Sequence, residues 1–290
     1  MFDRFLVVDW SAANAPRTGT DSIWIADTSR AEDLTLHNPR TRSEALRLVE
    51  ETIIETVEAR QRLFVGLDFA FGYPKGSYGL PGEGRWESVW HYLHEAVEDD
   101  GDNRSNRFTV AAQMNRAFHG EGPFWGHPHQ HRGRYPDLPF TRPDYASLGV
   151  REKRYIDAAA RAASPVWKMA FTGSVGSQTL TGIAGLETLR RAMAGRVSVW
   201  PFETAFADSV DRPVVLAEIY PSLVKADRTF HEVKDACQVA TLARGFERRR
   251  SNGTFAEMLD GPRCLGAEVR DAALTHEGWM VGFGDEVLPL

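Results

Sequence analysis

The chain has 290 residues, of which 42% are hydrophobic and 26% charged, and its formal net charge is -6. This composition is that of an ordinary globular protein, and the length is enough to bury one large hydrophobic core or two modest ones. The negative charge argues against a protein that coats nucleic acid by bulk charge, because such binding depends on neutralising phosphates. No apolar run approaches the roughly 20 residues of a membrane-spanning helix.

The two cysteines, Cys237 and Cys264, make neither a disulfide framework nor the spacing of a metal site. The first four residues lack a basic region followed by a long apolar stretch, so we expect no signal peptide. Because disulfides belong to oxidising compartments, this cysteine usage favours a reducing, cytoplasmic location.

The first 70 residues predict three strands, a helix and a fourth strand. The apolar runs that are typical of strands lie at residues 5–9, 23–26, 34–36 and 63–68. Apolar residues then recur at spacings of three and four between residues 46 and 57, which indicates an amphipathic helix. A right-handed crossover through this helix would bring the fourth strand beside and parallel to the first.

The first and fourth of these runs each end in an aspartate, Asp9 and Asp68. Neighbouring parallel strands lie roughly 4.8 Å apart, so the two carboxylates would stand side by side at one edge of the sheet. An isolated buried charge is costly, and each aspartate must therefore be hydrated, paired or bound to a metal. The alternative is that either one caps a turn or pairs with an arginine.

The character of the chain changes from residue 72 to about residue 151. Helices are predicted at residues 86–97 and 106–118, and residues 120–143 are rich in glycine, proline, histidine and arginine. Loops of this length in a compact domain are usually functional or disordered. We therefore predict a large insertion at about residues 72–151 that lies over the sheet edge as a cap or lid.

Three histidines in this insertion, His127, His129 and His131, alternate as the zinc ligands of a hairpin would. They have no cysteine partner and are surrounded by proline and glycine. A loop that contacts substrate is therefore the favoured interpretation, with a zinc site as the alternative.

The rest of the chain supplies two more carboxylates for the same edge. Strands are predicted at residues 166–170, 197–200, 214–219 and 279–283, and helices at residues 186–193, 231–249, 254–259 and 268–275. Glu218 lies near the end of a strand, and Asp235 lies near the start of a helix. Like charges that converge repel one another unless a divalent cation neutralises them, and oxygen ligands favour Mg²⁺ or Mn²⁺. We predict that Asp9, Asp68, Glu218 and Asp235 are metal ligands and catalytic residues, since bound metal ions can stabilise the oxygens of phosphoryl transfer.

A stretch rich in glycine, serine and threonine at residues 172–181 precedes a helix and is a candidate phosphate site. Exposed backbone amides before a helix attract anions. We assign substrate-binding roles to Lys168, Thr172, Ser174 and Ser177. The stretch lacks the lysine pattern of a P-loop, and a tight turn from strand to helix is the alternative.

Five local motifs resemble an uncharacterised family of predicted ribonuclease H-like nucleases. They are VDWS at residues 8–11, GLDFAFGYP at 66–74, GSVGSQTL at 173–180, EIYPS at 218–222 and KDA at 234–236. The resemblance implies a single ribonuclease H-like α/β domain over residues 1–290, with a mixed sheet flanked by helices. Nucleases of this fold usually carry an acidic residue on the first helix, but Glu50, Glu51 and Glu55 belong to none of the motifs. Glu218 would then take that place, or the metal site is incomplete.

Three functions are compatible with these features. The first is a metal-dependent phosphodiesterase or nuclease that acts on nucleic acid or a nucleotide. The second is transfer or hydrolysis of nucleotide phosphate, as in the actin-like ATPases, which share this sheet. The third is a non-catalytic binding or assembly protein that keeps the fold. Fold alone does not decide between them.

Overall fold

The structure is a computed structural model that describes residues 1–30, 33–160, 163–207, 211–262 and 265–284. Its strands are β1 (Arg4–Asp9), β2 (Trp24–Arg30), β3 (Asp33–His37), β4 (Leu63–Leu67), β5 (Val197–Trp200) and β6 (Val214–Glu218). Its α-helices are α1 (Arg42–Glu58), α2 (Trp86–Ala96), α3 (Arg107–Asn115), α4 (Tyr145–Leu148), α5 (Tyr155–Ala159), α6 (Val175–Ala192), α7 (Lys234–Ser251) and α8 (Ala267–Ala272). Cys264 lies outside the described residues.

The six strands form one mixed sheet in the order β3-β2-β1-β4-β6-β5. Strand β2 is antiparallel to both of its neighbours, whereas β1, β4, β6 and β5 run parallel. The first and fourth strands are therefore parallel neighbours joined through α1, as the sequence predicts. The carboxyl ends of β1, β4 and β6 lie at the same edge of the sheet.

Hydrophobic residues cover both faces of the central strands, which explains their nearly continuous apolar sequences. Alternation along β1 sends Leu6 and Val8 into one hydrophobic cluster and Phe5 and Val7 into the other. All five residues of β4 and all five of β6 are buried. Helices α1, α2 and α3 each contact α6 on one face, and α7 packs against β1 and β2 on the other. The structure is thus an α/β sheet flanked by helices.

The segment between β4 and α6 contributes to the core of the domain. Trp86, Trp90 and Phe108 from α2 and α3 are buried in the same cluster as Leu6 and Val8. Helix α2 packs against α6. The predicted insertion at residues 72–151 therefore buries apolar side chains against the sheet layer, and its role as a cap or lid stays a prediction.

One helix boundary and two strands differ from those that the sequence predicts. Helix α6 begins at Val175, well before the predicted start at residue 186. The predicted strands at residues 166–170 and 279–283 are reduced to single bridges, Lys168 to Trp125 and Met280 to Glu218. None of the helices in the described part of the chain is long and apolar enough to cross a membrane.

Candidate functional site at the carboxyl edge of the sheet

Asp9 and Asp68 are neighbours across the pair of strands β1 and β4. Val8 lies opposite Leu67 in the parallel register, and the ladder continues because the Asp68 amide donates to the Val8 carbonyl at 2.9 Å. Both aspartates are partly buried. The structure thus brings together the two carboxylates that the strand ends predict.

The pKa values of both carboxyl groups are raised. Burial raises the pKa of Asp9 well above its ordinary value, and the charges of Asp68, Asp235 and Asp21 add to this effect, with Lys234 opposing it. Burial also raises the pKa of Asp68 to about 7, with Glu218 and Asp235 as the charged contributors. Near neutral pH the pair therefore retains a proton unless a cation replaces it.

Asp235 is a third carboxylate whose charge acts on this pair. It lies in the first turn of α7, and its Oδ2 accepts a hydrogen bond of 3.0 Å from the Asp21 amide. Its charge acts on both Asp9 and Asp68. The charge of Glu218 acts on Asp68 as well, so all four predicted carboxylates lie near this edge, although they are up to 226 positions apart in the sequence (Asp9 and Asp235).

Glu218 has different neighbours from those that the sequence predicts. Both of its carboxylate oxygens accept hydrogen bonds from Arg154, at 2.6 Å and 2.7 Å, and Oε2 also accepts from the Phe71 amide at 3.0 Å. In the parallel register Glu218 lies opposite Leu67, one position before Asp68. Glu218 and Asp68 line the same pocket, and the charge of Glu218 acts on Asp68, but Arg154 occupies both carboxylate oxygens of Glu218. We leave Glu218 out of the proposed metal ligands for this reason.

Arg154 is a buried hub that the sequence analysis missed. Besides Glu218, its guanidinium binds Asp157 at 2.7 Å and donates to the Glu277 carbonyl at 2.8 Å. Burial opposes the charge of Arg154, but Asp157 and Glu218 outweigh burial and raise the pKa of Arg154. The only sequence signal was the spacing of three residues between Arg154 and Asp157, which many helices share.

Two pockets adjoin the strand ends and share the start of α6. The smaller pocket, of about 200 Å³, is lined by Asp68, Arg154, Asp157, Glu218 and Tyr220, among others. The larger pocket, of about 410 Å³, is lined by polar residues that include Ser11, Arg17, Asp21, Arg107, Ser174 and Ser177. Gly173, Val175 and Gln178 line both pockets. The first turn of α6 therefore separates two concave surfaces at the same edge of the sheet.

The four residues predicted to bind phosphate have different surroundings in the structure. Lys168 Nζ donates to the Thr172 carbonyl at 2.5 Å, and neither Lys168 nor Thr172 lines either pocket. Ser174 lines the larger pocket and precedes α6 without capping it. Ser177 is buried, donates to the Met169 carbonyl at 2.6 Å and accepts from Arg107 at 2.9 Å. Among the described residues, Ser174 is thus the member of the set that brings an unbonded hydroxyl to the larger pocket.

The other candidate ligands do not assemble at this edge. His127, His129 and His131 contact aromatic rings, including Phe140 and Tyr135. On α1, Glu51 pairs with Arg47 and Glu55 with Arg4, and neither these glutamates nor Glu50 line the two pockets. The first helix therefore supplies no acidic residue to either pocket.

Asp9 and Asp68 fit a hard divalent cation in one respect and fall short of a complete site in another. Neither forms an ion pair with a basic residue of the described ranges, and both are oxygen donors. In the same ranges there is no group of three or more histidine, cysteine, aspartate or glutamate side chains that could hold a metal ion. Mg²⁺ commonly takes one or two carboxylates and fills its shell with water and substrate phosphate. The aspartate pair therefore fits a cation whose remaining ligands come from solvent and substrate.

Comparisons with known proteins add no relative to this geometry. A scan against family models, a search of the curated proteins and a search of the solved structures each found no match. The resemblance to ribonuclease H-like nucleases accordingly stays a prediction from the five motifs, and the function has to be inferred from the site itself.

Proposed function

We propose that the protein is a divalent-metal-dependent phosphodiester hydrolase of ribonuclease H-like fold, with Asp9 and Asp68 as the metal ligands. The observation that carries this proposal is the pairing of two partly buried carboxylates at adjacent parallel strand ends without a basic partner in the described ranges. Such a pair is destabilising in the absence of a cation, because burial raises the pKa of both carboxyl groups and the charge of Asp68 raises the pKa of Asp9 further. Strongly shifted pKa values are concentrated at functional sites, so this carboxylate pair is a candidate functional site.

The order of the strands supports the fold assignment. Three antiparallel-connected strands, a helix and a fourth strand beside the first give the order β3-β2-β1-β4, which β6 extends in parallel. This is the arrangement that the sequence motifs imply. It places the two aspartates at the edge where open α/β sheets bind their ligands, beyond the carboxyl ends of the strands.

The residues at this edge of the sheet have different proposed roles. A bound Mg²⁺ or Mn²⁺ would polarise the phosphoryl oxygen and lower the pKa of a water ligand. Asp9 and Asp68 hold fixed positions because their strands are buried and hydrogen-bonded to each other. Asp235 stands within electrostatic reach of both, and it is placed to orient a water molecule or accept its proton. Arg154 keeps Glu218 neutralised and outside this set.

The substrate is either a nucleic-acid strand or a free nucleotide. The nucleotide is a second candidate because the larger pocket, of about 410 Å³, lies at the start of α6. The backbone amides at the start of a helix bind phosphate groups well. A non-catalytic protein of the same fold would hydrolyse neither substrate.

Titration of the metal-free protein with Mg²⁺ and with Mn²⁺ tests the proposal. We expect Asp68→Asn to weaken the metal affinity, measured by calorimetry, by at least about ten-fold. Loss of a charged carboxylate ligand should cost more than about 1.4 kcal/mol of binding free energy, which corresponds to that factor. The matched control is Asp102→Asn, which changes an exposed carboxylate that pairs with exposed Arg104. Equal affinities for wild type and both variants would remove the metal role.

Hydrolysis assays then separate the substrate classes. Single-stranded and duplex oligonucleotides, and nucleoside triphosphates, are offered to wild type and Asp68→Asn with Mn²⁺ present. Cleavage of an oligonucleotide that is lost in the variant supports the nuclease, and release of phosphate from a nucleotide supports the second candidate. Metal binding without turnover of any of these substrates would favour a binding protein.

A further inference from the structure

Arg107 is a buried cation at the rim of the candidate site. It opens α3 and is only 5% exposed. Its Nε donates to the Ser177 hydroxyl at 2.9 Å, and its Nη1 donates to Asn14 Oδ1 at 2.5 Å and to the Ser105 hydroxyl at 2.8 Å. These three partners are neutral, so the hydrogen bonds hold the guanidinium in place without balancing its charge.

The carboxylate whose charge acts on Arg107 is that of Asp99, which is paired with another arginine. Asp99 pairs with the buried Arg42 through two hydrogen bonds of 2.5 Å and 2.6 Å. Arg107 forms no ion pair within the ranges that the structure describes, and its Nη2 makes no hydrogen bond there. Burial and the charge of Arg42 together lower the pKa of Arg107 to about 10, and the charges of Asp99 and Tyr135 oppose them only in part. A buried charge without a counter-ion is costly unless a ligand supplies one.

The larger pocket brings this free donor together with the start of α6. Arg107 and Ser174 both line the pocket, and Ser174 directly precedes the 18-residue helix without a side-chain cap bond. The N-terminal end of a helix carries partial positive charge. The other charged lining residues, Arg17 and Asp21, lie 3.6 Å apart and are largely exposed, so they offset each other at the rim.

We propose that Arg107, Ser174 and the start of α6 form a binding subsite for a phosphate group of the substrate. The inference rests on the proposed function in that this phosphate belongs to the molecule whose phosphodiester lies at Asp9 and Asp68. Asp68 lines the smaller pocket, and Gly173, Val175 and Gln178 line both pockets, so one substrate can reach from Asp68 across the first turn of α6. The guanidinium Nη2 supplies the charged donor, because arginine presents its N–H groups in a geometry that suits phosphate oxygens. Ser174 supplies a hydroxyl donor at the same helix start.

Binding of inorganic phosphate to the protein in EDTA tests the subsite without metal and without catalysis. We expect Arg107→Met to weaken the phosphate affinity, measured by calorimetry, by about ten-fold or more, as loss of a charge-assisted hydrogen bond requires. Arg107→Lys keeps the charge but not the fork, and should bind with intermediate affinity. Asp68→Asn should leave phosphate binding intact while it weakens Mg²⁺ binding by at least about ten-fold, as expected for the metal titration. This pattern separates failure of the subsite from failure of the metal site.

A second pair of variants covers the case in which Arg107→Met does not fold. Ser174→Glu places a carboxylate in the pocket beside Arg107 and should abolish phosphate binding. Thr172→Glu makes the same charge change two residues earlier, at an exposed position that does not line the pocket, and should change the affinity by less than about three-fold. The proposal is overturned if wild type binds no phosphate in EDTA, or if Ser174→Glu binds phosphate as well as Thr172→Glu does.

Discussion

The ionisation of Asp68 couples the site to the stability of the protein. Burial and the charges of Glu218 and Asp235 raise its pKa to about 7, whereas an aspartate in an unfolded chain titrates near about pH 4. Between these two values the folded protein holds a proton that the unfolded chain releases. The stability associated with protonated Asp68 is therefore fully present below about pH 4 and is lost as the pH rises through about 7.

We therefore expect the free energy of unfolding in EDTA to fall between pH 5 and pH 8, and to fall less in Asp68→Asn. At pH 8 the variant should be more stable than wild type by on the order of 2–4 kcal/mol, because it removes a buried charge that repels its neighbours. Urea denaturation across this pH range measures the difference. Asp102→Asn, at an exposed position, should follow the wild-type profile. Parallel profiles for wild type and Asp68→Asn would contradict the assigned electrostatics.

The sequence predicts some residues of the site and not others for a physical reason. Asp9 and Asp68 each close a buried apolar run, so their position at a strand end is a local property of the sequence. Arg154 and Glu218 lie 64 residues apart, so no local sequence pattern indicates that they pair. The sequence does not reveal the role of Arg107 either, because its contact with Ser177 spans 70 residues and no local pattern marks it.

At the scale of elements, the packing of α6 against the strand ends depends on a missing side chain. A Cβ atom on Gly182 would lie 2.5–2.7 Å from the ring of Phe69, which is 3% exposed and directly follows Asp68. A Cβ atom on Gly185, one turn later, would lie 2.8 Å from the end of the Leu46 side chain. The buried ring cannot move away without disturbing the core, whereas a flexible leucine end can rotate.

Gly182→Ala and Gly185→Ala therefore form a matched pair within one helix. Both gain about 1 kcal/mol of helix propensity, but overpacking against Phe69 should cost Gly182→Ala more than this, for a net loss of about 1–2 kcal/mol. Gly185→Ala should be neutral or slightly stabilising. Urea denaturation of both variants checks the difference, and a stable Gly182→Ala protein would show that α6 is less tightly packed against Phe69 than the distances indicate.

The same packing explains why the sequence analysis starts α6 too late. The first turns of the helix carry Gly176, Ser177, Thr179 and Gly182, all of them buried or facing buried rings. Small residues allow the close approach to the strand ends, but they leave no apolar periodicity to detect. The strands β1 and β4, in contrast, bury large apolar residues on both faces, so their positions are predictable from composition alone.

At the scale of the whole molecule, Arg154 joins three distant parts of the chain. It pairs with Asp157 at the start of α5, with Glu218 at the end of β6, and with the carbonyl of Glu277 near the end of the described chain. All three side chains of the Arg154, Asp157 and Glu218 cluster are buried. The cluster contributes more to the choice of one arrangement than to net stability, since burying three charges offsets much of their mutual attraction.

Removing the arginine alone should therefore be far more damaging than removing the whole cluster. We expect Arg154→Met to lower the free energy of unfolding by about 3–5 kcal/mol, because Asp157 and Glu218 remain buried without a cation. The triple variant with Asp157→Asn and Glu218→Gln should recover at least half of that loss in urea denaturation. Arg142→Met is the control, since it breaks the exposed Arg142–Glu152 pair and should cost less than about 1 kcal/mol. Equal losses for Arg154→Met and the triple variant would mean that packing, not charge, holds the three segments together.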